Sequence, residues 1–241
     1  MTTTAPTDPD APCDTRMMGI VHSALRRDLV RTRMVLGDPD WVMPARRTGL
    51  AAHVLWMMHV LHLHHQGEDV GLYPMVLRND PATRPLVDGM DADHQRIDPA
   101  IAVLEEAAQA YADDASASRE RLLDALSALE EVLLPHLERE ELVMMPVVSG
   151  CVTQREWDDW NEHVNVKPKG TMLLAEEGHW VLDNLDDEGR GLAVGLVPPV
   201  PRFVILRLLG GRYRRKRALL WDGTPAAAVP SLSLDVEAAW R

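Results

Sequence analysis

The sequence predicts an all-α protein: an up-and-down four-helix bundle followed by a helical extension. Three observations carry this. Leu, Ala, Met, Arg and Glu, which favour helix, dominate the chain, aromatics are only 5%, and little strand-type alternation is visible. Apolar side chains recur at helical spacing in four segments. A histidine followed by His-x3-Glu occurs twice, each member displaced by 72 residues: His22 and His94, His64 and His136, Glu68 and Glu140. Pro74 and Pro146 repeat at the same offset. With 241 residues and 46% apolar content, the chain can bury a sizeable core.

Residues 1–13 are acidic and rich in Pro and Thr, and read as a disordered tail. Residues 14–150 read as the bundle, 151–222 as the extension and 223–241 as a second tail. Thr15 opens a first helix running to about Leu36, with Met18, His22, Leu25, Leu29 and Leu36 inward. Gly37-Asp38-Pro39-Asp40 stops it, and Trp41–Arg46 is a connection. The second helix starts near Arg47 and points Leu50, Val54, Met57, Leu61, His64, Glu68 and Leu72 inward. Gly67 and Gly71 weaken it, and Pro74 ends or kinks it.

Asn79-Asp80-Pro81 caps a third helix with Val87, Met90, His94, Ile97, Ile101, Leu104 and Ala108 on one face. Asp113–Ser118 is a turn. The fourth helix carries Leu122, Leu126, Leu129, Leu133, His136, Glu140 and Val147 inward, tolerates Pro135, and ends near Gly150. In the extension, Thr153-x-x-Glu156 is a capping box. A segment from Leu173 to Leu185 follows, broken by Asp186–Gly189. A last helix, about Arg202 to Trp221, holds seven basic and no acidic residues between Arg202 and Arg217.

Residues four apart on a helix share a face. His64 with Glu68, and His136 with Glu140, can therefore each aim two ligand atoms at one spot. A buried histidine beside a carboxylate also satisfies an ordinary core polar group, and either pair alone would be explained that way. Four histidines and two glutamates on four inward stripes would be costly to bury without a metal. His65 stands roughly 100° from the His64 face, and its repeat partner is Leu137, so it reads as a marginal ligand. His53 shares the His64 face but lies about 16 Å along the axis and reads as a core or supporting group. His59, His62, His163 and His179 read as surface or contact residues.

Imidazole mixed with carboxylate suits iron, manganese or zinc. A closed structural zinc site takes four ligands. Six or seven ligands point instead to two metals bridged by Glu68 and Glu140. The residues His22, His64-His65-x-x-Glu68-Asp69, Leu72-Tyr73-Pro74, His94 and His136-x3-Glu140-Glu141 occur in an order that resembles the hemerythrin-like HHE cation-binding domain, over about residues 15–150. The resemblance implies an up-and-down four-helix bundle. Its cofactor would be two non-heme, oxygen-bridged iron ions held by His22, His64, Glu68, His94, His136 and Glu140. Manganese or zinc would be less usual. Oxygen-carrying members have a second histidine one turn after the first on the third helix; here that position is Asp98. The extension is similar to that of bacterial members.

The expected function is binding of, or reaction with, dioxygen or a related small ligand. The alternatives are a di-iron redox enzyme acting on peroxide, nitric oxide or ferrous iron, and a structural or regulatory module held by metal. The Asp98 departure argues against reversible dioxygen carriage, and the roughly two positions that an octahedral count of the ligands leaves open tip the expectation towards redox chemistry and away from stable oxygen storage. Net charge is −12, of which −11 falls in residues 1–150. That argues against nucleic acid. Cys13 and Cys151 form no CxxC pair, no secretory signal is visible, and no apolar run reaches the roughly 18 residues of a membrane span. A cytoplasmic setting follows as the expectation. Peripheral membrane contact through 202–221 is the weaker reading of the basic helix. The favoured one packs it against the acidic bundle of the same chain or of a second copy.

Overall fold

The computed structural model describes residues 8–38, 44–113 and 115–234. Helix α1 spans Arg16–Gly37 and α2 Pro44–Gly67; a π-helical turn, Glu68–Leu72, joins α2 to α3, Tyr73–Asn79. Helix α4 covers Arg84–Asp113 after a 3₁₀ turn, Pro81–Thr83, whose Asp80 side chain accepts from Ala82 N–H. Helix α5 is Ala115–Arg139, continued by a second π turn, Glu140–Met144, into α6, Met145–Cys151. The expected turn at Asp113–Ser118 is shorter than anticipated, since α5 already begins at Ala115.

Each long helix crosses three layers. One apolar cluster holds Leu25 of α1, Leu61 of α2, Ile97 of α4 and Leu133 of α5. A second holds Met18, Leu72, Met90 and Met144 from the same four strokes of chain. Between them on every helix lie the histidines and glutamates of the repeat. The order of the clusters along the chain reverses from each stroke to the next, so the helices run up, down, up and down.

The prolines act through the π turns. An α-helix would ask Pro74 for an N–H that it lacks. The chain inserts one residue instead: Tyr73 N–H bonds back to the Glu68 carbonyl, and Met145 N–H to that of Glu140. The widened turn absorbs each proline with neither a stop nor a sharp break. Pro135 lies inside α5, and Pro99 inside α4, each within a continuous helix.

The extension wraps this bundle. Thr153 and Glu156 form the reciprocal cap of α7, Gln154–Asn161. A π turn, Glu162–Val166, follows, then α8, Thr171–Val181. Gly67 and Gly71 prove to be contact positions. A Cβ on Gly67 would come within 2.4 Å of Val164, one on Gly71 within 2.7 Å of the Trp160 ring, and Trp160 Nε1 donates to the Gly67 carbonyl at 3.0 Å. Asp186, expected as a breaker, caps α9, Asp187–Gly195, by accepting from Gly189 N–H at 2.7 Å. The expected last helix is divided. Helix α10, Pro199–Phe203, and its π turn, Val204–Leu208, are separated by Gly210 from α11, Gly211–Leu220.

Both expected tails need correction. Residues 8–13 pair with the start of α7: Gln154 N–H donates to the Ala11 carbonyl, Cys13 N–H to that of Val152, and Cys13 is buried. Beyond Gly223, Ala226, Val229 and Leu232 are fully buried, and Leu232 N–H donates to the Ser23 carbonyl. These apolar residues close over α1, which composition alone did not reveal. Residues 1–7 and 235–241 lie outside the described ones, as does the first half of the expected Trp41–Arg46 connection; its second half, from Pro44, already belongs to α2.

Closure over α1 buries Arg27, Asp28 and Arg31 completely. Asp28 accepts from Arg27 Nε (2.8 Å), Arg31 Nη1 (3.1 Å), His53 Nε2 (2.8 Å) and Trp180 Nε1 (2.9 Å). Burial opposes its charge, but Arg27, His53 and Arg31 outweigh that and hold its carboxyl well below the usual range. The stability it contributes is therefore present above the ordinary aspartate value and lost as pH falls towards the depressed one. Asp28→Ala would take from the buried Arg27 guanidinium its carboxylate partner, and from Arg31 one of two, Asp183 being the other. The expected loss is about 3–5 kcal/mol in chemical denaturation; a loss under about 1 kcal/mol, as at an exposed pair, would contradict this account.

Candidate metal centre

The four strokes deliver seven side chains to the polar layer. His22 comes from α1, His64 and His65 from α2, His94 from α4 and His136 from α5; Glu68 and Glu140 are the first residues of the two π turns. All are buried except His64, whose side chain keeps 13% exposure. They form two groups, His22 with His64 and Glu140, and His65 with His94 and His136. Within each group the potential ligand atoms all lie within 4.8 Å of one another.

The carboxylates stand between the groups. Glu68 Oε1 is 3.0 Å from His64 Nε2, while its Oε2 is 3.6 Å from His94 Nε2. Glu140 Oε2 lies 3.4 Å from His22 Nε2 and 3.7 Å from His136 Nε2. The Nε2 atoms of His22 and His64 are 3.2 Å apart. Two imidazole nitrogens at right angles on one ion, each about 2.1 Å away as in zinc sites, would be about 3 Å apart.

Without a cation this layer is poorly satisfied. Among the described residues, both ring nitrogens of His65 and of His136, Nε2 of His94, and both oxygens of Glu68 and Glu140 are buried without a hydrogen bond of acceptable geometry. Each such group costs roughly 1–3 kcal/mol, so together they rival the whole stability of a domain, about 5–15 kcal/mol. Burial pushes His22, His64 and His65 well below the ordinary histidine value and His136 down to about 3. Those rings are neutral at pH 7, as ligands must be. Burial and then Glu140 push Glu68 well up, and burial pushes Glu140 to about 7. Two carboxylates, each resisting its own charge, suit a cation between them.

The outer edges of the rings are held by a further layer. His94 Nδ1 is 2.7 Å from Asp69, and His22 Nδ1 is 2.9 Å from Glu141, which also meets Arg26 Nη1 at 2.7 Å. His136 Nδ1 lies 3.6 Å from Asp93, which Arg139 and Arg96 bind in turn. A proton kept on Nδ1 leaves the Nε2 lone pair facing inward. Asp69 and Glu141 each follow a repeat glutamate directly, and each serves a histidine in the opposite half of the bundle. That adjacency was legible in the sequence, though its purpose was not. Tyr73 was missed as well: its ring stacks on His94 with centroids 5.7 Å apart, and its buried hydroxyl has no hydrogen-bond partner among the described residues.

His65 is the main revision. Its ring stacks on His94 at 4.1 Å and meets His136 edge-on at 5.2 Å. A single inward face serves one focal point. Neighbours 100° apart instead address two points, His64 towards α1 and His65 towards α4 and α5. Asp98 lies outside the layer, on the surface, 3.9 Å from His62. His53 is a core group bonded to Asp28. His59, His62 and His163 are exposed, and His179 is half-buried. A cavity of about 350 Å³, lined by Thr15, Gly19, Ser23, Glu141, Met145 and Ser231 among others, opens beside Glu141 and so beside His22.

A four-helix bundle whose core is interrupted by histidines and carboxylates defines a metal-binding helical protein. The hemerythrin HHE cation-binding domain model matches residues 15–148, and the chain belongs to that family. Comparison with curated proteins and with solved structures finds no match. Among the described residues, no helix is long and apolar enough to cross a membrane. Metal removal should be visible as lost stability. At 100 times its Kd, a ligand specific for the folded state adds about 2.7 kcal/mol. Thermal melts of metal-loaded protein should therefore fall by several degrees on chelation and recover on re-addition; identical melts would refute a cation at this layer.

Proposed function

We propose that this chain is a non-heme di-iron protein that binds or reacts with dioxygen or a related small ligand. The observation that carries the reading is Glu68, whose two carboxylate oxygens face different histidine groups. His22 and His64 would hold one ion and His65, His94 and His136 the other, with Glu68 and Glu140 spanning the two. Mixed imidazole and carboxylate donors suit iron. Bound iron would supply one-electron redox chemistry and open coordination positions.

The chain's own residues define what such a centre would meet. Three imidazoles serve the His94 side and two the His22 side, so an opening belongs beside His22 and His64. The Glu141-lined cavity lies on that side. Leu25, Leu61, Leu72 and Met144 close the layer above and below and exclude bulk water. Burial, then the charges of Glu68 and Glu140, push the Tyr73 hydroxyl well above its ordinary value and keep it protonated. It is placed to donate a hydrogen bond to an oxygen-bearing ligand in the layer.

That protonated hydroxyl, with a cavity that opens beside Glu141, favours the second reading, redox turnover of peroxide, nitric oxide or ferrous iron. Elemental analysis of protein from iron-replete cells should find close to two irons per chain by octahedral ligand count. One zinc and no iron would end the di-iron reading. His65→Ala should lower iron content towards about one per chain, while Tyr73→Phe should leave it intact. Mixing reduced protein with air then separates the functions. A lasting adduct that releases gas under vacuum means binding; peroxide turnover slowed in Tyr73→Phe means an enzyme. No spectral response at all would leave only a metal-held structural module.

A further inference from the structure

Although the chain is acidic overall, it has eight basic and no acidic residues between Glu188 and Asp222. The second half of this region is committed within the molecule. Arg212 and Lys216 bind Glu176, Arg217 binds Asp183, Lys216 lies 4.2 Å over the Trp56 ring, and Leu220 is buried. The acidic partners thus lie in α8 and just after it, with the bundle contributing Trp56 and the Gly49 surface under Leu219. The first half is not covered. Val200 is 74% exposed, Phe203, the chain's one phenylalanine, 61%, and Leu208 65%. Val200 and Phe203 are three apart on α10, and Leu208 follows Phe203 by one π turn, so the three share a side. Leu196, just before them, is 48% exposed. Arg207, Arg214 and Arg215 are exposed and have no ion-pair partner among the described residues. His179 Nε2, 3.0 Å from the Ile205 carbonyl, pins the opposite side of the segment to α8.

We propose that the surface built by Leu196, Val200, Phe203, Leu208 and the free arginines docks the protein on an anionic lipid bilayer. An apolar stripe flanked by cations lies in the interface plane, its side chains at the acyl boundary and its guanidinium groups among the phosphates. A second copy fits less well. A two-fold contact through this patch would set its arginines against themselves. A nucleic acid would satisfy the arginines but offers no apolar layer to receive Val200, Phe203 and Leu208.

Co-sedimentation of the full-length, metal-loaded protein with vesicles tests this. Binding is expected to phosphatidylcholine vesicles containing phosphatidylglycerol and not to phosphatidylcholine alone, and to weaken as salt is raised. The Phe203→Ser/Leu208→Ser variant and the Arg207→Gln/Arg214→Gln/Arg215→Gln variant should each lose roughly tenfold in partitioning. Circular dichroism and metal content report whether each variant is folded, and Val200→Ser serves if the apolar pair does not fold. No binding to the anionic vesicles, equal binding to neutral ones, or binding untouched by the apolar variants would overturn the proposal. So would a lipid-free dimer that the apolar variant dissociates, which assigns the patch to a second copy. Duplex DNA binding unchanged in the apolar variant, with no vesicle binding, would assign it to nucleic acid instead.

Discussion

Two carboxylates buried among five imidazoles are the constraint on which the rest of this molecule depends. Glu68 and Glu140 are wholly inaccessible, and their oxygens lack hydrogen-bond donors among the described residues. A charge so placed is tolerated only beside a counter-charge. Everything adjoining the layer either tightens it or isolates it. Apolar clusters on both sides keep water out. Asp69 and Glu141 fix the outer ring nitrogens of His94 and His22, Asp93 faces that of His136 at 3.6 Å, and Arg26 and Arg139 steady Glu141 and Asp93.

The two halves of the bundle are related by the repeat, and the centre is built across them. Asp69 and Glu141 each reach the histidine of the other half. The π turns are the backbone counterpart of this symmetry. They start at the two glutamates and absorb the two prolines, so each carboxylate sits where the helix widens. Symmetry fails at three places that bear on chemistry: His65 stands opposite Leu137, Tyr73 opposite Met145, and Asp93 opposite Val21 in the 72-residue register. All three exceptions enrich the His94 side with polar groups. Chemical differentiation of the two histidine groups therefore comes from departures from the repeat.

The extension contributes to the bundle's integrity. It buries a cationic stretch of α1 through Trp180, Asp183 and Trp221, and rests Trp160 on the carbonyl of Gly67, next to Glu68. Gly67 and Gly71 show how local cost and tertiary gain can oppose each other. Glycine loosens a helix, yet any side chain there would collide with Val164 or Trp160.

Helical class, four strokes, and the inward placement of His22, His64, Glu68, His94, His136 and Glu140 were all determined by the sequence by itself. Periodicity and a repeated spacing are local properties of a helix, and one chain displays them without reference to any neighbour. The pairing of His65 with His94 and His136, the reach of Asp69 and Glu141 across the bundle, and the packing of Ala226, Val229 and Leu232 onto α1 were decided only by tertiary structure. Each depends on how helices are rotated about their own axes and on which segments lie side by side. A histidine 100° off a stripe is peripheral to one focal point and central to another. Only the packed bundle shows that there are two.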